Sequence, residues 1–210
     1  MEFQKNKKII FGRWINYQEN EPVQWTILEV KEDKMLVVST RALEFRSFHN
    51  QLEEVTWDSC DLRKWLNSEF LNKAFNKHEQ KRILTTELPA SVDPETSIIL
   101  GKPTEDKIFL LSLEEAETYF ATYERECAPT YHAWWRQGNL SKETLDYCEG
   151  CCDWWLRTPG MEPDSVSFVN YYGMTNTHAP SCSGDGYMEV DDCIGVRPAM
   201  WLDITDGLEE

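Results

Sequence analysis

The sequence predicts an α+β domain in which helices pack on small twisted antiparallel sheets. Three observations carry this expectation. PVQWTILEV alternates apolar and polar positions with period two, the segment after Trp57 repeats apolar residues every three or four positions, and the final third returns to short apolar runs separated by turn signals.

Taking the elements in order, Val23, Trp25 and Ile27 share one face of a strand, KEDK turns the chain, and MLVVS returns it as a hairpin. Phe11, Gly12 and Trp14 belong to a preceding strand, where Gly12 marks a bulge or a close backbone approach. The clearest helix carries Leu62, Trp65, Leu66, Phe70, Ala74 and Phe75 on its inner stripe, with Asp58 as its cap and Asp61 in its first turn. Arg63 on this helix reads as a surface ion-pair residue of small energetic weight. Residues 78–84 form a short helix, and TTELPASVDPE is a loop. KIFLLS is a short strand running into a helix whose start, Ser112 with Glu115, matches a capping box. Residues 122–150 are an irregular, aromatic-rich excursion from a single domain that spans residues 1–210. Strands are then expected at 154–157, 165–172, 187–190 and 195–202, with Pro198 marking an edge or bulge in the last.

Composition narrows the function classes. Thirty-seven acidic residues against 21 basic ones give a formal charge of −16, a field that repels phosphate backbones and anionic membranes. Neither nucleic acid nor membrane is therefore an expected partner. No apolar run has the length of a signal peptide or a membrane span, and the seven cysteines form an odd set, so reduced thiols in a cytoplasmic protein are expected.

Several motifs run the length of the chain. They are FG-x-W at Phe11 to Trp14, W-x-S-x-x-L-R-x-W-L-N at Trp57 to Asn67, D-K-I-F-L-L-S-x-x-E-A at Asp106 to Ala116, WWLRTPG at Trp154 to Gly160, and GVRPAMW at Gly195 to Trp201. Together they resemble a family of uncharacterised bacterial domains. More distantly, the paired tryptophans, glycine-rich turns and G-V-R close resemble the end of a C-type-lectin-like domain, in particular the branch that contains formylglycine-generating enzymes. That similarity implies a mixed fold with one or two helices on small sheets and long loops near one face. It also implies a possible pair of copper-binding cysteines, for which Cys182 and Cys193 are the nearest counterparts.

The candidate chemistry divides into four groups. Cys148 and Cys151 have C-x-x-C spacing, which suits a metal knuckle or a redox pair, but no second such pair completes a zinc site. Asp185, Glu189, Asp191 and Asp192 offer oxygen ligands for calcium without the order of an EF-hand loop, and a solvated acidic turn explains them more simply. Arg157 and Arg197 lie in apolar strands, where a charge needs a partner; a structural network satisfies that need, and so does an anionic ligand. Tyr131, Trp134, Trp135 and Tyr171, with one of Trp154 and Trp155, supply flat rings for a sugar or peptide groove. His49, His78, His132 and His178 show no metal-ligand spacing. The expectation is a non-enzymatic binding module for carbohydrate or peptide, without a cofactor. Its alternatives are a structural protein–protein interaction domain and a cysteine- or metal-dependent enzyme.

Overall fold

A computed structural model describes residues 3–16, 19–93, 95–136, 150–162, 164–176 and 194–205. The architecture is mixed α+β, with short helices against several small sheets. Strands β1 (Lys8–Asn16), β2 (Glu19–Val30) and β3 (Lys34–Ser39) form an antiparallel meander. The alternation in β2 is obeyed: Val23, Trp25 and Ile27 are all buried. In β1 the register with β2 shifts between Ile10 and Arg13, and Gly12 sits there at φ 68°. A Cβ at Gly12 would come within 2.5 Å of the Phe75 ring, so glycine meets both the bulge and the close approach.

After β4 (Glu44–Phe45), helix α1 (Asp61–Trp65) runs through a π-turn at Leu66–Phe70 into α2 (Leu71–Ala74). The predicted stripe is buried throughout, and its rings pack with those of β1: Trp14 lies 4.8 Å from Phe70 and Phe11 lies 5.5 Å from Phe75. The cap is Cys60, whose sulfur accepts the Arg63 N–H at 3.4 Å, rather than Asp58, which takes the Thr56 hydroxyl. Helix α3 (Lys77–Arg82) starts at an Asn76–Glu79 capping box. The stretch expected to be loop instead forms two ribbons. Strand β5 (Thr86–Leu88) pairs with β8 (Thr104–Asp106), and β6 (Ser91–Val92) pairs with β7 (Ile99–Leu100). These strands are two or three residues long, too short for alternation to register in the sequence.

Residues 106–115 link β8 to the next helix through a buried stretch, Ile108 to Leu111. KIFLLS is extended but joins no ladder beyond a single bridge from Phe109 to Ala199. Its polar groups are satisfied by side chains from distant segments. The Asp106 carboxylate accepts Trp57 Nε1 at 2.9 Å, Thr104 Oγ1 at 2.7 Å and Arg63 Nε at 2.8 Å. Arg63 is thus not a surface pair, because its partner carboxylate is shut from solvent. Asn67 Oδ1 accepts the Lys107 and Ile108 amides, and its Nδ2 donates to the Ile108 carbonyl at 2.8 Å. Further along, Arg157 Nη1 donates to the Leu110 carbonyl at 2.7 Å, and Thr158 Oγ1 accepts the Leu113 amide. The predicted capping box of Ser112 and Glu115 then opens α4 (Leu113–Tyr119).

A 3₁₀ turn (Thr122–Glu124) and helix α5 (Tyr131–Arg136) follow. Strands β9 (Trp154–Pro159), β10 (Val166–Val169), β11 (Thr175–Asn176) and β12 (Gly195–Val196) join β4 in a sheet of order β11-β10-β9-β12-β4, antiparallel except between β9 and β12. The expected strand at 195–202 divides at Arg197 and Pro198. Its second half, β13 (Ala199–Asp203), pairs with β3 and completes the sheet β1-β2-β3-β13. Pro198 lacks the amide to continue a ladder, so the chain changes sheets there. The strand expected at 187–190 lies outside the described residues. Among the described residues no helix is long and apolar enough to cross a membrane.

Two expectations follow from these contacts. Replacing Asp106 by Ala removes the partner of a half-buried guanidinium and strands a buried indole N–H, and chemical denaturation should show a loss of about 2–4 kcal/mol; a loss below about 1 kcal/mol would contradict the central role of this carboxylate. The second concerns alkaline pH. Burial raises the Cys60 thiol from its ordinary 9.0 to about 12, so between those values unfolding releases a proton and stability falls as pH rises. The stability difference between the wild type and Cys60→Ser should shift against the wild type by about 1.4 kcal/mol per pH unit above 9. A difference that stays constant to about pH 10.5 would show that the thiol titrates normally.

Candidate functional site

Helix α5 is anchored at its first residue. The Ala42–Pro129 bridge lays 128–130 along 41–43, with Thr130 N donating to Ala42 O at 2.8 Å and Arg41 Nη1 donating to Pro129 O at 3.1 Å. Thr130 then caps the helix: its hydroxyl accepts the Ala133 amide and its carbonyl accepts that of Trp134. The cap fixes which faces point outward. His132 and Ala133 turn inward, while Tyr131 and Trp135, four residues apart on one face, are 52% and 59% exposed.

Tyr131 forms one end of an open groove of about 480 Å³. The outer face of the β1–β2 hairpin supplies Ile10, Ile15 and Pro22, and the segment after β3 supplies Thr40 and Arg41. Ile10 and Ile15 are exposed because they oppose Phe11 and Trp14, which face the core. The groove is thus lined by aliphatic side chains and an aromatic ring, interspersed with the polar groups of Glu21, Gln24, Thr40, Arg41 and Thr130. Its volume falls in the range of small-ligand sites.

The predicted site residues are distributed unevenly around it. Tyr131 lines the groove, and Trp135 projects one turn further along the same helix face. Trp134 is half-buried behind them, its ring 5.6 Å from that of Tyr131 and its indole nitrogen shut from solvent. Tyr171 stacks on Tyr172 at 4.2 Å, and its amide donates to Asp153 Oδ1. Trp154 and Trp155 do not line it; both are core residues whose N–H groups donate to the carbonyls of Arg125 and Arg46.

The two arginines have separate settings. Arg157 clasps Glu115 through both terminal nitrogens, binds the Leu110 carbonyl, and lines a second groove of about 440 Å³ with Ser91, Asp93 and Glu114. Arg197 is 3% exposed and lines neither groove. Its guanidinium lies between the rings of Phe120 and Trp154, 5.0 and 4.9 Å from their centroids, and Nε donates to Ser39 O.

No group of three metal-ligating side chains occurs among the described residues. Cys148, Cys182, Cys193, Asp185, Glu189, Asp191 and Asp192 lie outside them; Cys151 is half-buried. Cys60, Cys127 and Cys152 are buried thiols whose pKa values are raised by burial, which disfavours the thiolate that nucleophilic attack or metal binding needs. The groove residues that the sequence did not flag include Ile10, Ile15, Gln24 and Arg41. Their signal was the polar phase of an alternating strand, and single exposed isoleucines are too ordinary to mark a site.

A family model described as "Domain of unknown function (DUF6273)" matches residues 32–204. No curated protein and no solved structure matches the chain. The matched span contains the 106–115 segment with the side chains that satisfy it, together with α5, whereas β1 and all of β2 precede it. The chain belongs to the DUF6273 family of domains of unknown function.

Proposed function

We propose that the chain is a binding module of C-type-lectin-like architecture that takes an extended polypeptide segment along the groove between α5 and the β1–β2 hairpin. The observation that carries this is the exposed Tyr131–Trp135 pair beside a groove whose other wall is Ile10, Ile15 and Pro22. Large apolar side chains exposed together around a concavity are characteristic of interaction surfaces, and aromatic anchors supply most of the affinity at such sites. Aliphatic walls suit the side chains of a peptide. A sugar ring needs a flat aromatic face ringed by hydrogen-bonding groups, so carbohydrate is the second reading, favoured by the exposed rings alone. A chain of net charge −16 further favours a peptide with basic flanks, whose association should weaken as salt rises.

Peptide and glycan arrays probed with the full chain test this directly. Apolar peptides with Lys or Arg flanks should bind, and Tyr131→Ala or Trp135→Ala should weaken that binding about tenfold or more with the thermal midpoint unchanged. Binding confined to glycans would establish the carbohydrate reading. Peptide binding unaffected by either variant would place the site elsewhere.

A further inference from the structure

We propose that Cys127 and Cys152 are an intramolecular disulfide site that closes the loop 128–151 at its base. The two ends of that loop meet at these residues: Cys152 N donates to Cys127 O at 2.8 Å. A backbone hydrogen bond of this kind holds the two Cα atoms at about the 4.4–6.8 Å separation that a disulfide spans. Both side chains lie in the same hydrophobic core. Cys127 Sγ approaches Thr40 O at 3.9 Å. On the other side, a Cβ built on Gly195 would meet Ala42 Cβ at 2.8 Å and Cys152 Sγ at 3.0 Å, so only glycine leaves room for the sulfur there. Burial raises both thiols above their ordinary value, and the buried Arg197 guanidinium offsets this only in part.

Both residues are thiols in this structure. Their conversion needs an oxidant, and a low-molecular-weight disulfide such as oxidised glutathione suffices. One thiolate attacks that disulfide, expelling one small thiol and leaving a mixed disulfide; the second thiolate then displaces the other small thiol. The protein loses two S–H bonds and gains one S–S bond, while the oxidant's S–S bond becomes two thiols. Since both sulfurs are buried and burial holds their protons, exchange precedes closure of the core, and the bond is set as the chain folds in an oxidising medium. The bond would replace the reduced thiols expected from the odd cysteine count. Helix α5 lies inside the closed loop, so the bond also holds Tyr131 and Trp135 in place against β1; this consequence, unlike the bond, rests on the proposed binding groove.

The test refolds the full chain in oxidised or reduced glutathione, blocks remaining thiols after denaturation, and assigns linkages by fragmenting the tryptic peptides 126–136 and 143–157. The expected result is a 127–152 link in the oxidised sample, a mass lower by about 2 Da, and a thermal midpoint higher by about 5–10 °C than that of the reduced sample. Recovery of both residues as blocked thiols, or linkage of either to another cysteine, would overturn the site. Because serine at a buried position can itself destabilise, the primary comparison is the wild type in two redox states. Cys127→Ser and Cys152→Ser should each abolish the redox-dependent shift, and its persistence in either counts against the pair. A 127–152 link that leaves peptide affinity unchanged overturns only the coupling to α5, and peptide binding without the link overturns only the disulfide.

Discussion

A largely buried polypeptide segment that joins no continuous ladder must find partners for its backbone among side chains and isolated backbone contacts, and residues 107–112, between β8 and α4, impose that requirement on the segments around them. The Asp106 carboxylate is satisfied by Trp57, Arg63 and Thr104, the next two amides by Asn67, Phe109 by Ala199, and the carbonyl of Leu110 by Arg157. Helix α1, its π-turn, β9 and β13 are therefore held in register by one stretch of chain. Hydrogen bonds to charged groups in a low-dielectric interior are the stronger kind, and losing one partner there leaves the other uncompensated. The Trp, Arg and Asn of the helix motif and the Arg and Thr of WWLRT thus share one physical task, although they are far apart in sequence.

Arg157 carries this logic furthest. Its guanidinium joins the Leu110 carbonyl to Glu115, which at the same time closes the capping box of α4 through the Ser112 amide. A single carboxylate therefore sets both the start of the helix and the position of β9. Arg197 solves the problem of burial differently, with aromatic faces above and below and a single carbonyl at Nε. Arg157 is satisfied within the framework, Arg197 keeps a buried Nη1 without a hydrogen-bond partner, and the groove beside α5 uses neither.

Periodicity made much of this fold legible. The β2 face, the helix stripe and the Ser112–Glu115 cap were visible because each is a local pattern that neighbouring residues complete. Illegible features depended on distant partners. KIFLLS has the composition of a strand, yet its hydrogen bonds go to Asn67 and Arg157, and Cys60 took the cap because Asp58 is held by Thr56. The aromatic stretch at 131–135 was visible as a candidate site, but composition could not separate exposed Tyr131 and Trp135 from half-buried Trp134. That division comes from the Thr130 cap and the bridge that sets the helix angle. Ile10, Ile15 and Arg41 enter the groove only through the packing of 128–130 along 41–43.

The groove stands on this framework at one remove: α5 hangs from 128–130, which lean on 41–43, which pair in turn with Val196 of β12. Native-state hydrogen exchange at the Lys107, Ile108, Phe109 and Leu113 amides tests the central claim most directly. If side chains from across the chain, with the Ala199 carbonyl at Phe109, hold this segment, all four should exchange only through global unfolding, with the same free energy and the same denaturant dependence as the Trp25 region of β2. Exchange of these amides through local opening, independent of denaturant and well below the global free energy, would show that the 106–115 segment is a passenger rather than the centre of the fold.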